Sequence, residues 1–204
     1  MTRSLHTFLR EPQAAPQERC ELCAVPVPAE HAHLVHVEDR RLLCACQACG
    51  LLFSDPQPRL RYRTVPDRYL VDPEFVLDGA QWDALQIPVG MAFFLHNSTR
   101  DAIVACYPSP AGATESELDL GAWADGIGAS TLAAELVPDV EALLVRRLDD
   151  GSSECLLVPI DACYRLVGLV RRHWKGFDGG ADARAAIDAF FAGLHERART
   201  LDGP

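Results

Sequence analysis

Residues 20–50 read CELCAVPVPAEHAHLVHVEDRRLLCACQACG, and this stretch sets the architecture of the first part of the chain. Two Cys-x-x-Cys pairs, Cys20 with Cys23 and Cys46 with Cys49, stand at its ends with twenty-two residues between them. Each pair places two sulfurs on one side of a tight turn, and two such turns complete a tetrahedron with sulfur about 2.3 Å from a metal ion. The sequence therefore predicts one ion on these four thiolates, without a histidine ligand or an open coordination position.

The residues between the two pairs have the pattern of a β-hairpin. HAHLVHV at 31–37 alternates in polarity, residues 38–40 form a polar turn, and RLLCAC follows at 41–46. Two cysteine turns joined by a hairpin are the plan of a zinc ribbon or rubredoxin-like module, which we place at residues 19–55. A module of this size seldom has a sufficient core of its own, and structural zinc contributes roughly 10–16 kcal/mol to the folding of finger peptides.

Zinc is the predicted ion, and iron in a rubredoxin-like site is the alternative. Four thiolates suit both ions, because hydrogen bonds to the sulfurs and their shielding from water set the redox chemistry. A redox-active dithiol is the third interpretation of the spacing. Gly50 suits the positive φ that such turns often need, whereas Ala24 stands at the corresponding place after the first pair.

Four further side chains near the hairpin raise the alternative of a Cys/His ligand set: Cys44, His31, His33 and His36. Because four cysteines already close a tetrahedron, we interpret Cys44 as a small apolar residue on the strand face that also carries Leu42. His31 and His33 are expected on the solvent side of the hairpin. The remaining cysteines lie in apolar contexts and are predicted to be core residues: Cys106, Cys155 and Cys163.

Composition indicates one ordinary globular domain with a small appendage. The 204 residues are 49% hydrophobic and 24% charged. The longest apolar run, 89–95, is too short to span a bilayer, and the first residues lack an apolar core of signal-peptide length. We therefore expect a cytoplasmic protein with reduced cysteines and no membrane partner.

The negative charge is concentrated after residue 72. The net charge is −10, and residues 73–204 carry twenty acidic against ten basic side chains. A nucleic-acid partner is not expected, because DNA and RNA binding rest on a Lys/Arg surface. The basic cluster that the sequence does contain is Arg59, Arg61, Arg63 and Arg68.

The chain divides into five segments by its turn residues and periodicity. They are a flexible arm at 1–18, the four-cysteine module at 19–55, an extended Pro-rich connector at 56–77, an α+β domain at 78–198 and a tail at 199–204. In the main domain two hairpins are predicted at 89–109 and 141–160. Helices are predicted at 78–86 and at 161–174, the latter capped by Asp161, and two helices are predicted within 114–136, with a break near residues 126–128. A last helix after the GFDGG stretch carries four apolar residues on one face: Ile187, Phe190, Phe191 and Leu194. The predicted fold is α+β, a mostly antiparallel sheet with helices on one face.

Two loops of the main domain have small or polar residues at positions typical of binding sites. In the loop at 108–116, Thr114 and Glu117 match a capping box, so we interpret them as structural. The basic residues of the loop at 173–180 complement a helix C-terminus. His96 has no partner in the sequence for acid–base chemistry. We predict no catalytic residue, and therefore no enzyme.

Several unusual strings occur in order along the chain: CELC, HLVHVEDRRLLCACQACGLLF, YRTVPDR, YPSPAGATES, PDVEALLV and VPIDACYRLVGLVRRHWKGFDGG. Together they make residues 20–194 similar to an uncharacterised, mainly actinobacterial family encoded beside high-affinity [NiFe]-hydrogenase operons. The resemblance brings no catalytic residue, but it implies a role beside hydrogenase, with a hydrogenase subunit or maturation factor as the protein partner.

Two classes of function follow. The first is a zinc-binding, non-catalytic accessory protein that acts by protein–protein interaction in hydrogenase maturation or assembly. The second is a rubredoxin-like iron electron carrier associated with hydrogenase. The metal distinguishes them, because zinc has no redox chemistry and oxidised iron on four thiolates is coloured.

Overall fold

The computed structural model describes residues 17–55, 61–117, 119–176 and 179–201. Most of the predicted arm, Arg59 and the last three residues of the predicted tail lie outside these ranges. The strands are β1 Ala32–His36, β2 Arg41–Ala45, β3 Tyr62–Thr64, β4 Leu70–Val71, β5 Met91–Asn97, β6 Ala102–Ser109, β7 Gly112–Ser116, β8 Glu141–Arg147, β9 Ser153–Pro159 and β10 Arg199–Thr200. The helices are α1 Gln47–Leu52, α2 Gly79–Ala84, α3 Leu120–Asp125, α4 Thr131–Glu135, α5 Ile160–His173 and α6 Gly180–Arg197.

The four-cysteine module is built on a small antiparallel sheet with the strand order β2-β1-β3. The predicted hairpin of β1 and β2 is confirmed, with Leu34 opposite Leu43 and Val35 opposite Leu42. Because side chains alternate across a strand, these two pairs point to opposite faces. Leu34 and Leu43 pack beside the cysteine turns, whereas Val35 joins the core of the main domain. The hairpin therefore has a face toward the cysteine turns and a face toward the rest of the protein.

Segments predicted as connector and tail contribute strands. From the connector, β3 pairs with β1 and β4 pairs with β9, so this segment takes part in both sheets. From the tail, β10 lies parallel to β4 at the edge of the main sheet. These strands are only two or three residues long and carry no periodicity that a sequence pattern could detect.

The main sheet has seven strands in the order β10-β4-β9-β8-β5-β6-β7. Every neighbouring pair is antiparallel except β10 with β4, so the predicted mixed α+β fold with a mostly antiparallel sheet is confirmed. Both predicted hairpins are present, β5 with β6 and β8 with β9. Among the described helices, none is long and apolar enough to cross a membrane.

Helices cover both faces of this sheet, so the prediction of helices on one face is wrong. Four successive residues of β5, Ala92 to Leu95, are at most 4% exposed. Phe93 and Leu95 pack with residues of α5 and α6, while Ala92 and Phe94 pack with residues of the shorter helices α2 and α4. In a strand with one solvated face, apolar and polar side chains alternate along the sequence. The runs MAFFL, ALLV and CLLV are apolar without such alternation, as in strands that are covered on both faces.

Two local predictions in the main domain are also corrected. Thr114 and Glu115 lie in strand β7, opposite Tyr107 and Cys106, and not in the first turn of a helix. Asp161 was predicted to cap α5, but that helix begins at Ile160 without a side-chain cap and Asp161 lies in its first turn. The carboxylate of Asp161 is directed instead to the four-cysteine module. By contrast, the predicted helix after Asp78 is confirmed, with a complete capping box to Gln81.

Candidate metal centre

The sulfurs of Cys20, Cys23, Cys46 and Cys49 lie within 4.8 Å of one another. The Sγ atoms of Cys23 and Cys46, which belong to different turns, are 3.7 Å apart. Four sulfurs about 2.3 Å from an ion at the centre of a regular tetrahedron would be about 3.8 Å apart. The structure thus brings together the four predicted ligands, in an arrangement that fits a single tetrahedral ion.

The two cysteine turns are formed in different ways. In the first turn the N–H of Ala24 donates to the carbonyl of Cys20 at 2.8 Å, and the N–H of Cys20 donates to Val25 at 2.9 Å. In the second turn Cys46 is the N-cap of α1, and its sulfur accepts the N–H of Cys49 at 3.5 Å. Backbone groups thus fix the sulfur positions on both sides of the cluster.

The reason for glycine at position 50 differs from the predicted one. Gly50 lies inside α1 and is not among the residues with positive φ. A Cβ atom added there would lie 3.0 Å from the Cβ of Ala32, which is closer than nine in ten Cβ contacts in proteins. Close packing of α1 on β1 therefore favours glycine at this position. The left-handed position is Ala24, whose φ is +62°.

Replacing Ala24 by Gly is expected to stabilise the module by about 0.5–1 kcal/mol. A left-handed conformation costs an L-residue roughly 1–2 kcal/mol, and only part of this gain is offset by the greater chain entropy of glycine when unfolded. Ala48→Gly in α1 is the matched control and should lower the stability by a similar amount. Denaturant unfolding of the metal-loaded variants measures both changes, and a loss of stability in Ala24→Gly would contradict the argument.

The protonation of the cluster is uneven. Burial raises the pKa of Cys20, but the backbone N–H groups of Cys46, Cys23 and Leu22 outweigh burial and lower that pKa to about 6. A hydrogen bond with Cys46, together with burial, raises the pKa of Cys49 to about 12. The cluster therefore has one thiol that ionises readily, beside other thiols that keep their protons. A bound cation would displace these protons, because the sulfur must be deprotonated to bind a metal.

Arg19, the residue directly before the first cysteine, contacts the first cysteine turn. The guanidinium of Arg19 donates to the carbonyl of Ala24 in the first turn at 2.9 Å. Arg40 is directed away and pairs with Glu115 of the main domain. Arg19 therefore supplies positive charge beside a cluster that carries a net negative charge when four thiolates hold a divalent ion.

The structure corrects the predicted position of the hairpin histidines. The side chain of His31 is only 5% exposed, and that of His33 is 25% exposed and hydrogen-bonded to Asp161. Cys44 shares the strand face of Leu42 as predicted, but it lies opposite His33. One ligand atom from each of His31, His33 and Cys44 lies within 4.8 Å of the other two. The His-x-His spacing, together with the hairpin register that places Cys44 opposite His33, could have identified this group from the sequence.

The other candidate residues have structural neighbours. Cys106, Cys155 and Cys163 are buried in the two cores, as predicted, and burial raises the pKa of each thiol. His96 hydrogen-bonds to the exposed carboxylate of Asp101. In the loop at 173–180, Trp174 donates to the carbonyl of Gly176, and residues 177 and 178 lie outside the described ranges.

Comparison with known proteins gives one match. No curated protein and no solved structure matches the chain. A family model described as a family of unknown function matches residues 19–198, which span the four-cysteine module and the main domain. The protein therefore belongs to this family, DUF5947.

Proposed function

We propose that the protein is a zinc-binding, non-catalytic accessory protein that docks another protein through the tip of its four-cysteine module. The observation that carries the proposal is a group of exposed apolar side chains at that tip. Leu22 and Val25 in the first turn are 37% and 44% exposed, and Leu51 and Leu52 after the second turn are 68% and 71% exposed. We call these four residues the apolar tip.

The apolar tip holds four of the seven large hydrophobic side chains that are exposed in the described chain, and all four belong to the four-cysteine module. The described chain has only three other large hydrophobic residues with comparable exposure, Val76, Leu120 and Tyr164. Exposed apolar side chains grouped on a fixed scaffold mark interaction sites more often than isolated ones do. Next to the tip, a cleft of about 450 Å³ lies between the Pro26–Pro28 segment and α1. A bound ion would hold the two cysteine turns, and hence the tip, in one geometry.

The connector arginines do not strengthen this docking surface. Arg63 donates to the buried carboxylate of Asp139 at 3.2 Å, and Arg68 pairs with the buried Glu141. Both guanidiniums therefore hold the connector on the main domain. The acidic surface of the main domain remains available to steer a partner of positive charge by long-range electrostatics.

We propose the cytoplasm as the site of action and a [NiFe]-hydrogenase subunit or maturation factor as the partner. The support is the similarity of the strings at 20–194 to the hydrogenase-associated family described above. Zinc is the proposed ion. Iron in an electron carrier is the second candidate, favoured by the exposure of Cys23, since a ligand at the surface would let electrons reach the metal.

The test is affinity capture from a host that expresses the hydrogenase, with the tagged chain and two double variants. Leu51→Glu with Leu52→Glu should retain the metal but lose the partner. Val76→Glu with Leu120→Glu, which changes equally exposed residues elsewhere, should keep both. Recovery of a hydrogenase component by the wild type and the control, but not by the tip variant, supports the proposal. Equal recovery by all three forms would remove the tip as the docking site.

Deletion of the gene tests the pathway itself. Hydrogen uptake and the metal content of the hydrogenase large subunit are measured in the deletion strain, with the wild-type gene restored as the control. Unchanged uptake and metal content, together with no hydrogenase component on capture, would overturn the role in hydrogenase assembly. Visible absorption and metal analysis of protein from its native host separate the zinc protein from the iron carrier.

A further inference from the structure

A second group of metal-ligating side chains lies on the opposite face of the β1–β2 hairpin from the four cysteines. His31 and His33 are two residues apart, so their side chains point to the same face. The strand register places Cys44 opposite His33. This face also carries Val35, which is buried in the core of the main domain. The group is therefore separate from the four-cysteine cluster and lies where the module meets α5.

The hydrogen bonds of the two imidazoles leave one nitrogen of each free for a metal. Nδ1 of His31 is 2.8 Å from the carbonyl oxygen of Pro28, which can only accept, so Nδ1 carries the proton. Nδ1 of His33 is 3.0 Å from Oδ2 of Asp161, and it donates to that carboxylate when the imidazole is neutral. In both rings Nε2 then holds a lone pair. Histidines that bind metals are oriented in this way, by a carbonyl or a carboxylate on the other nitrogen.

Two buried polar atoms at this place have no hydrogen-bond partner: Nε2 of His31 and Oδ1 of Asp161. The side chain of His31 is more than nine-tenths buried, with an exposed fraction of 5%. A buried acceptor without a partner costs about 1–3 kcal/mol, so an unoccupied Nε2 in this position is unfavourable. A cation coordinated by Nε2 would remove that cost.

The charges around the group favour a cation. The carboxylate of Glu18 lies 3.8 Å from Nδ1 of His31, and the carboxylate of Glu21 accepts the N–H of Cys44 at 2.8 Å. Asp161 adds the negative charge that orients His33. Coulomb attraction from three carboxylates stabilises a divalent ion that has a thiolate and two neutral imidazoles as ligands.

We infer that His31, His33 and Cys44 form a second metal site for a borderline divalent cation, with zinc as the best fit. Nitrogen and sulfur ligands are those that zinc prefers. Zinc bonds of normal length place such ligands roughly 3.5 Å apart, and one ring nitrogen of each histidine and the Cys44 sulfur already lie within 4.8 Å of one another. Three protein ligands leave a fourth position for water or an exogenous ligand. The chain then holds two ions, not the single ion expected from sequence.

The experiment measures metal content and exchange. Each protein is equilibrated with excess Zn²⁺, freed of unbound metal by gel filtration and analysed for zinc per chain. The wild type and His36→Ala, a control on the same strand outside the group, are expected to hold two ions. Cys44→Ala and the double variant His31→Ala with His33→Ala are expected to hold one. The ion that remains in the four-cysteine cluster shows that the module is still folded, so loss of the second ion is not loss of the fold.

Asp161→Asn tests the positioning role of that carboxylate. Loss of a carboxylate that orients a ligand typically weakens metal binding 10- to 100-fold, so the zinc affinity of the second site should fall by that factor. The zinc affinity of the four-cysteine cluster should not change. A wild type that holds one ion overturns the second site, as does a Cys44→Ala variant with the zinc content of the wild type. Neither result affects the proposed docking through the apolar tip.

Discussion

A Cys46→Ser variant is expected to lose the metal ion of the four-cysteine cluster and the fold of residues 19–55, while the seven-stranded sheet remains folded. Metal binding contributes on the order of 10 kcal/mol to folding of such modules, and a hydroxyl is a poor replacement for a zinc-bound thiolate. Among the described residues, the buried core of the module comprises six: Cys20, Val27, Leu34, Leu43, Ala45 and Cys49. Two of these six are themselves ligands, so little apolar burial remains without the ion.

The main domain is expected to stay folded in this variant. Its two cores flank the large sheet, and each contains more buried residues than the module. It will nevertheless lose contacts, because Val35 packs in one of these cores and Arg40 pairs with Glu115. We therefore expect a lower melting temperature with the sheet intact.

Hydrogen exchange with mass-spectrometric detection separates the two regions in one sample. Peptides covering β1 and β2 should exchange freely in Cys46→Ser, while those covering β8 and β9 remain protected. His36→Ala is the control, because this residue lies in β1 and belongs to neither group of metal-ligating side chains. Loss of protection in β8 and β9 as well would show that the module and the main domain unfold as one unit.

Replacing Arg68 by Ala is expected to lower the free energy of unfolding by about 3 kcal/mol. Nε and Nη2 of Arg68 each donate to one carboxylate oxygen of Glu141 at 2.8 Å, and the Glu141 side chain is fully buried. Removing one partner of a buried pair leaves a charge without compensation, which costs about 3–5 kcal/mol. The partial exposure of Arg68, 35%, places the expected value at the low end of this range.

Two companion variants show whether the cost comes from the buried charge. Arg147→Ala removes an exposed guanidinium that lies 3.4 Å from Asp83, so its effect should stay within about 0.5 kcal/mol. Replacing the pair together, Arg68→Met with Glu141→Leu, should recover most of the lost stability, since a buried pair exchanged for apolar residues is often neutral. Urea unfolding measures all three. If Arg68→Ala and Arg147→Ala lowered the free energy of unfolding equally, burial of the Glu141 charge would not be the cause of the loss.

Hairpins and the metal ligands were predictable because their signals are local. The Asp150-Gly151 turn and its two apolar flanks predict β8 and β9, and the structure pairs them in register from Arg147 with Ser153 to Glu141 with Pro159. The predicted helix start at Thr114 was wrong, because the capping-box pattern covers only four residues and is a weak local signal. There, pairing of Thr114 with Tyr107 in a neighbouring strand outweighed the local preference.

The number of layers was not predictable from element order alone. Short helices such as α2 and α4 lack the length to show a clear apolar face, so their side of the sheet is not evident from periodicity. The stronger signal was in the strands, because Phe93 and Phe94 are adjacent and both fully apolar. Adjacent residues of a strand face opposite sides, so both sides needed cover.

The sequence by itself determined the four-cysteine cluster, because each pair spans four residues and a hairpin joins the pairs. Tertiary structure decided what lies on the other face of that hairpin. Asp161 is 128 residues from His33, and only packing of α5 against the module brings its carboxylate to the imidazole. Contacts of this kind depend on how whole elements pack, which short-range spacing does not encode. The ligands of the first site follow from local turn geometry, whereas the second site takes its orienting carboxylate from a distant helix.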